Sequence, residues 1–278
     1  MQPLFCVYCQ SAMSIFRTSL TGAIALIFLS ISQNSIGQID TIRLKDKRLH
    51  TSWLKAGLNQ YLIYYQNPKE NKSVRFWFWM RDIKTDNMNG SQVFVIEQHW
   101  YGSDTSIYRY IHSVNNGSDF APIYHEEISN GKTSAYTWKP DNIVGADSVK
   151  ANIQKDFSLK FSEPNFNWNL DIETLEMLPL ANNKAFAINF YDAGQDPPKY
   201  YLYTVAGSET LQTLDNNRTE CWKVTTNGTS GEFSYIETYW ISKDSHEFLK
   251  EESSYNGMFA YKIKLMGSAT DLLSRFTH

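Results

Sequence analysis

The chain has 278 residues, a formal net charge of -3 at pH 7 and an aromatic content of 15%. Because the charges nearly balance and no basic run exceeds Arg43–Arg48, the sequence excludes nucleic acid as a partner. The 17 Tyr and 16 Phe favour strands over helices, which excludes a helical bundle.

The chain begins with a region typical of a secretory signal peptide. Its one long apolar run, Gly22–Ile31, is too short to cross a bilayer, which takes about 20 residues, but has the length of a signal-peptide hydrophobic region. Small residues at Ser35 and Gly37 favour cleavage before Gln38. We therefore predict a signal peptide over residues 1–37 and an exported protein, periplasmic or associated with the cell envelope. An uncleaved signal anchor is the alternative.

The cysteines support a mature protein without an internal disulfide. Cys6 and Cys9 precede the apolar run, so neither occupies the position of a lipid-carrying cysteine, and only Cys221 follows the cleavage site. Cys221 lies in an alternating segment and is predicted to be buried. The leader before the apolar run is long, so Met13 competes with Met1 as the start of the chain.

After the leader, alternating apolar and polar residues recur between short turn sequences. This spacing predicts an all-β fold, a curved antiparallel meander that forms a sandwich, half-barrel or barrel-like sheet with one or two short helices. The predicted strands cover residues 59–66, 73–82, 91–101, 105–114, 121–129, 132–139, 155–161, 184–191, 199–206, 219–226, 232–241, 246–253 and 257–266.

Helices are few in the prediction. The best candidate is 171–178, which Asp171 can cap and Pro179 ends. Two further candidates cover residues 46–55 and 268–276. No linker divides the chain, so we predict one β-rich domain over 38–278; two β halves that separate near 162–182 are the alternative.

The segment Arg75–Arg81, RFWFWMR, is aromatic on both faces when it is read as a strand. Arg75, Trp77, Trp79 and Arg81 share one face, which is apolar in the middle and charged at its ends. This pattern suits a ligand groove with a solvated rim, and these four residues are the predicted ligand-binding residues. Alternatively, the tryptophans pack beneath a loop or the short helix.

Several segments together resemble a group of exported bacterial proteins of unknown function. They are Leu54–Tyr65, the aromatic strand after it, Ala121–Trp138, Tyr239–Ser253 and Gly257–Leu265. The group is similar in outline to the lipoprotein-localisation factors, whose curved sheet wraps a short helical plug and offers a concave apolar surface. The resemblance implies a periplasmic or surface-facing half-barrel and assigns no site residue.

The sequence contains no familiar catalytic signature, so we expect no enzymatic activity and no cofactor. Glu97 with His99, and His125 with Glu127, share strand faces and would form a metal site only if their strands were neighbours. Such pairs recur by chance on strands, and no metal site is predicted.

These observations lead to a functional hypothesis. We expect a non-enzymatic, monomeric protein that lies near the membrane without spanning it. Its concave sheet is predicted to bind an apolar or amphipathic molecule, such as a lipid or a lipoprotein acyl chain, in a site lined by Trp77 and Trp79, with Arg75 and Arg81 at its rim. The alternatives are a structural or envelope-interaction protein with a filled interior, and a carbohydrate-binding module.

Overall fold

The computed structural model describes residues 38–68, 74–102, 108–230 and 233–266. These residues form one 16-stranded sheet, which confirms the predicted all-β class. The predicted signal peptide and the predicted C-terminal helix lie outside the described residues.

The strands follow one another along the whole described chain. They are β1 (Ile39–Ile42), β2 (Gly57–Gln66), β3 (Val74–Met88), β4 (Ser91–Gly102), β5 (Tyr108–Asn116), β6 (Pro122–Ser129), β7 (Lys132–Trp138), β8 (Asn142–Gly145), β9 (Ser158–Lys160), β10 (Phe166–Asn167), β11 (Ala185–Tyr191), β12 (Lys199–Gln212), β13 (Arg218–Ser230), β14 (Phe233–Ser242), β15 (Phe248–Tyr255) and β16 (Met258–Leu265).

The sheet consists of two antiparallel meanders joined side by side. Strands β2 to β9 pair in sequence, as do β11 to β16, and β16 pairs with β2 to connect the two sets. Among the strands of the described residues, only β1 and β10 run parallel to their neighbour, which is β11 in both cases. Within the described chain β1 and β9 are the two ends of the strand order and do not pair with each other, so the curved sheet is an open half-barrel.

Every predicted strand has a counterpart in the structure, whereas β1, β8 and β10 were not predicted. These three strands have only two to four residues, too few to show an alternating pattern. Tight turns form at three of the Asn-Gly pairs, Asn89-Gly90, Asn130-Gly131 and Asn256-Gly257, whereas Asn227-Gly228 lies within β13. At Asn89-Gly90 and Asn256-Gly257 both residues have positive φ, 54° and 80° in the first pair and 48° and 78° in the second, as a type I′ turn requires.

The single α-helix among the described residues, α1, covers Asp171–Glu176 and confirms the predicted helix, which ends two residues later in the prediction. Asp171 does not cap it: Leu170 is the N-cap, and the Asp171 carboxylate accepts from the Ile172 amide at 2.7 Å. The predicted helix over 46–55 is wrong; the structure has only short 3-10 turns there.

The 3-10 turns are Leu44–Asp46, Thr51–Trp53 and Trp168–Leu170, the last of which leads directly into α1. The His50 amide donates to the Met177 carbonyl at 2.9 Å. This hydrogen bond attaches the segment before β2 to the C-terminal end of α1, and the segment does not form a helix of its own. No helix in the part of the chain that the structure describes combines the length and apolar character needed to cross a bilayer.

Helix α1 lies on the concave side of the sheet, and the main hydrophobic core forms around it. The core includes Leu170, Ile172, Leu175 and Leu178 from the helical segment and residues from both meanders. The sheet residues of this core include Tyr61, Ile63, Trp79, Ile83, Phe94, Ile96, Phe186, Ile188, Phe190, Tyr203, Val205, Val224, Tyr239, Ile241 and Phe248. The helix is therefore the plug of the half-barrel.

A smaller cluster lies on the opposite, convex face and contains Cys221, Trp240 and Leu249. Cys221 is free and fully buried, which confirms its predicted burial. Burial raises the pKa of its thiol to about 11, so this cysteine is protonated and unreactive near neutral pH.

Candidate functional site

The plug is attached to the sheet by a buried ion pair. The Arg81 guanidinium on β3 donates from one nitrogen to both oxygens of Glu176, at 2.8 and 2.7 Å, and its Nε lies 3.5 Å from Glu173. Glu176 also accepts from the Phe248 amide at 2.8 Å, which links β3, α1 and β15. Burial alone would lower the pKa of Arg81, but Glu176 raises it, so the guanidinium stays charged.

This arrangement corrects the predicted position of Arg81. The side chain was expected at a solvated rim, yet it is only 2% exposed, and the central carbon of its guanidinium lies 5.7 Å from the centroid of the Tyr61 ring and 6.0 Å from that of Trp79. The physical reason is the acidic partner pair on α1, which the strand pattern of β3 does not reveal. Arg75, at the other end of the same face, is exposed as expected.

The two tryptophans of β3 have different surroundings. Trp79 is 2% exposed and stacks on Tyr61 at 4.6 Å and on Trp100 at 5.0 Å, while its indole nitrogen donates to Gln98 at 3.2 Å. Trp77 is half-buried and meets Trp100 edge-on at 6.4 Å. Trp79 thus packs next to the plug, the arrangement given above as the alternative to a ligand groove.

One cavity, which we call the aromatic cavity, has a volume of about 350 Å³. It lies beside the plug, against β11, β12, β14 and β15. Rings form much of its wall: the Trp168 and Tyr201 centroids are 4.2 Å apart, and Phe190 meets Trp168 edge-on at 5.4 Å. Its lining residues are Trp168, Phe190, Asp192, Gln195, Asp196, Pro197, Lys199, Tyr201, Tyr235, Glu237, Ser253, Ser254 and Tyr255.

A second cavity of about 150 Å³, which we call the inner cavity, shares Trp168 and Glu237 with the aromatic cavity. It lies between β3–β5 on one side and β14 and β16 on the other, with α1 as its floor. Its lining residues are Trp79, Gln98, Trp100, Arg109, Ile111, Trp168, Asn169, Asp171, Ile172, Glu173, Glu237, Tyr239 and Lys262. Of the four predicted ligand-binding residues, only Trp79 lines either of these two cavities.

Hydrogen bonds hold the residues between the cavities in place. The Tyr239 hydroxyl donates to Glu237 at 2.7 Å and lies 3.4 Å from Asp171. Asn169 donates to Asp192 at 2.9 Å and accepts from Arg109 at 2.7 Å. The cavity walls are therefore a hydrogen-bonded polar and aromatic surface.

The two possible metal-binding pairs lie apart. Strand β5 separates β4 from β6, and the pairs lie on opposite faces of the sheet. His125 is buried on the inner side, where its Nδ1 lies 3.0 Å from Ser113 and from Asn167, whereas His99 is near Tyr108 on the outer side. Among the described residues no group of three or more potential ligands is positioned to hold a metal ion.

Comparison with models of protein families shows which family the chain belongs to. Residues 60–264 match the family model described as Protein of unknown function (DUF3108). The chain belongs to this family. The match confirms the resemblance to a family of unknown function and covers the described chain from β2 to β16. No curated protein matches the DUF3108 chain.

Several solved structures are similar to this DUF3108 protein. A β-barrel-like DUF1849 protein from Brucella abortus is 9% identical, with a TM-score of 0.49, and the match covers 75% of this chain and 96% of that one. The hypothetical lipoprotein YmcC from Escherichia coli is 12% identical, with a TM-score of 0.28, and the match covers 94% and 98%. A DUF1329 protein from Desulfovibrio piger is 9% identical, with a TM-score of 0.28, and the match covers 84% and 96%. Similarities this distant transfer no function.

Burial raises the pKa of carboxyl groups that line the two cavities. It raises the pKa of Asp171 to about 6 and those of Glu173 and Glu237 to about 7, and nearby Glu251 adds to the effect on Glu237. These acids therefore hold protons at higher pH in the folded protein than in the unfolded chain.

We predict that Glu237→Gln stabilises the DUF3108 protein above neutral pH. Folding raises the pKa of Glu237 from 4.5 to about 7. The protonated carboxyl therefore stabilises the folded protein fully below pH 4.5, and this contribution is lost as the pH rises through about 7. Glutamine mimics the protonated acid at every pH. The variant should match the wild type at pH 4 and exceed its free energy of unfolding at pH 8 by on the order of 1 kcal/mol.

Urea unfolding of both proteins from pH 4 to pH 8 measures this difference. Buried His125, whose pKa burial lowers to about 4, changes stability in the opposite direction, but it is present in both proteins and cancels. Glu209→Gln is the control, because Lys223 lowers the pKa of this exposed carboxylate. A wild type that remains as stable as Glu237→Gln at pH 8 would contradict the prediction.

Sequence reasoning missed the residues that form the aromatic cavity. Trp168 lies in a 3-10 turn without periodicity, and Glu237 alternates with apolar residues on β14 like many solvated strand positions. The nearest signal was the tyrosine-rich run of β12, where Tyr201 and Tyr203 point to the concave side and Tyr200 is 43% exposed.

Proposed function

We propose that this protein is an exported, non-enzymatic binding protein that holds an amphipathic molecule, such as a lipid or a single acyl chain, on its concave side. The aromatic cavity is the observation that carries the proposal. At about 350 Å³ it lies within the range of small-molecule sites, roughly 300–1,000 Å³. Rings of Trp168 and Tyr201 offer apolar contact, and carboxyl, amide and hydroxyl groups offer polar contact.

The plug restricts what can bind. Helix α1 and its surrounding core fill much of the concave side, so the free volume lies beside the plug and suits one chain or one headgroup. This favours a small amphipathic ligand over a molecule with several acyl chains. The proposed location, in the periplasm or cell envelope and close to the membrane as a monomer, is supported by the apolar leader run Gly22–Ile31.

We predict that Trp168→Ala weakens ligand binding at least tenfold. This ring lines both cavities and is half-buried, so its removal takes away contact area from a bound molecule. The neutral fluorophore N-phenyl-1-naphthylamine is a suitable probe, because its emission increases in apolar sites. Titration of both proteins with this probe measures the loss of affinity.

Trp53→Ala is the matched control for this experiment. Trp53 is also half-buried, stacks between His50 and His246 at 4.0 and 3.9 Å, and lines neither cavity. It should leave probe affinity unchanged. Mass spectrometry of natively purified protein would identify a retained ligand. A wild type that binds no probe and carries no ligand would leave the structural protein as the better explanation.

A carbohydrate ligand is a second candidate, favoured by the same lining. Stacked rings beside Asp192, Gln195 and Glu237 are residue types that can stack on a sugar and hydrogen-bond to its hydroxyl groups. Retardation in affinity gels that contain polysaccharide, lost in Trp168→Ala, would support this candidate. Unchanged migration together with tight N-phenyl-1-naphthylamine binding would exclude it in favour of the amphipathic ligand.

A further inference from the structure

The charged residues of the aromatic cavity are unbalanced. Three carboxyl groups, those of Asp192, Asp196 and Glu237, contribute to its lining, against the single ammonium group of Lys199. A further acid, Asp171, lines the neighbouring inner cavity, and the Tyr239 hydroxyl lies between it and Glu237. A ligand in this cavity therefore meets an excess of negative charge.

Four other acids on the concave side have cationic partners. Glu173 and Glu176 pair with Arg81, and the same side has a pair between Glu251 and Lys262 and another between Glu127 and Arg109. Buried or half-buried carboxylates are normally paired in this way, because an isolated charge is costly to remove from water. Pairing with a cation is therefore the common arrangement outside the aromatic cavity, and Asp171, which accepts from the Ile172 amide and the Tyr239 hydroxyl, is an exception in the inner cavity.

Asp192 and Glu237 depart from this arrangement. Asp192 accepts from the neutral amide of Asn169, and Glu237 accepts from the neutral hydroxyl of Tyr239. No lysine or arginine in the described ranges forms an ion pair with either carboxylate. Both line the aromatic cavity, so a cation bound there would take the place that an arginine or lysine has elsewhere on this face.

The rings of the cavity are also suited to a cation. The Lys199 ammonium lies 5.1 Å from the centroid of the Tyr201 ring, so one ring of the cavity already contacts a positive group. Trp168 and Tyr235 line the same space. Aromatic faces attract cations within about 6 Å, and groups of such rings bind quaternary ammonium ions.

We propose that the polar group of the ligand is a cation, so that the aromatic cavity binds an amphipathic amine or quaternary ammonium compound. This inference rests on the proposed function and specifies its ligand class. The apolar part of the ligand contacts Trp168 and Phe190, and its positive group lies between the Tyr201 ring and the carboxylates of Asp192 and Glu237. No covalent step is involved.

Three detergents with the same dodecyl chain test the charge preference. Dodecyltrimethylammonium, dodecyl maltoside and dodecyl sulfate, all below their micellar concentrations, compete with N-phenyl-1-naphthylamine for the full-length protein. We expect the cationic compound to compete at least tenfold more strongly than the neutral one, and the anionic compound to compete least. Equal competition, or strongest competition by the sulfate, would overturn the inference and leave the proposed function intact.

Variants show whether the preference depends on the cavity. Glu237→Gln keeps the shape of the side chain and should reduce the cation-to-neutral ratio severalfold, with Asp192→Asn as a second variant if the first does not fold. Glu209→Gln changes the net charge equally on the convex face, outside both cavities, and should leave the ratio unchanged. Equal reductions in all variants would indicate attraction to overall charge and overturn the inference.

A failure of the proposed function gives a different result. If none of the three detergents displaces the probe, or the probe does not bind, both the binding role and its cationic specificity are wrong. Tetramethylammonium, which has the positive group without the chain, should compete only weakly. If tetramethylammonium competes as strongly as dodecyltrimethylammonium, the ligand is a small cation rather than an amphipathic one.

Discussion

Replacing Arg81 with methionine should lower the free energy of unfolding by about 3–5 kcal/mol, which is the usual cost of removing one partner from a buried ion pair. The change leaves the carboxylates of Glu173 and Glu176 between α1 and β3 without their cation. Both acids are almost fully buried, at 1% and 4% exposure, so water cannot replace the guanidinium. Urea unfolding followed by circular dichroism measures the loss.

Two further variants separate charge from packing. Arg75→Met changes an exposed arginine on the same face of β3 and should alter stability by no more than about 0.5 kcal/mol. The triple variant Arg81→Met, Glu173→Gln, Glu176→Gln removes the unpaired charges and should recover part of the loss. A loss below about 1 kcal/mol for Arg81→Met would show that the ion pair does not hold the plug.

Leu175→Ala should destabilise the protein by about 2–5 kcal/mol, the range for truncating a buried leucine. Leu175 is the centre of the inward face of α1, is fully buried and packs in the core that both meanders share. The cavity left behind lies in a core built from both meanders, and a helix of six residues has little capacity to shift into it.

The matched control is Leu214→Ala, which makes the same chemical change in the turn between β12 and β13. Leu214 is 64% exposed, so the expected change is within about 0.5 kcal/mol. Thermal unfolding and urea unfolding of the wild type and both variants measure the loss of stability, and the slope of the unfolding free energy against urea concentration shows whether the native fold is retained. Similar losses in the two variants would mean that α1 is not a structural plug.

The strands, the Asn-Gly turns and α1 were predictable because each depends on local sequence. Alternation identifies a strand, and Asn-Gly identifies a tight turn at three hairpins, without reference to distant residues; at Asn227-Gly228 the pairing of β13 with β14 overrides the turn signal. The environment of Arg81 was not predictable, since its partners Glu173 and Glu176 lie on another element far along the chain. A strand pattern indicates which residues share a face but not which of them meet the plug.

The candidate site shows the same limit. Trp77 and Trp79 were expected to act together, yet one lies beside the plug and the other lines neither cavity. Trp168, Tyr201 and Glu237 come from three separate elements, and only their positions in the folded sheet bring them to one cavity. No single segment of sequence carries that arrangement.

The pairing of β2 with β16 has a consequence for how the chain acquires its structure. It joins Gln60–Gln66 to Phe259–Leu265, nearly the two ends of the described chain. Chains are synthesised from the N-terminus, so β2 and β3 emerge long before β16 and expose a free strand edge until β16 has been synthesised. Contacts so remote in sequence slow folding. The nascent protein therefore has a prolonged period in which intermolecular strand pairing competes with its own closure, and shortening the chain before β16 should convert it into an aggregating species.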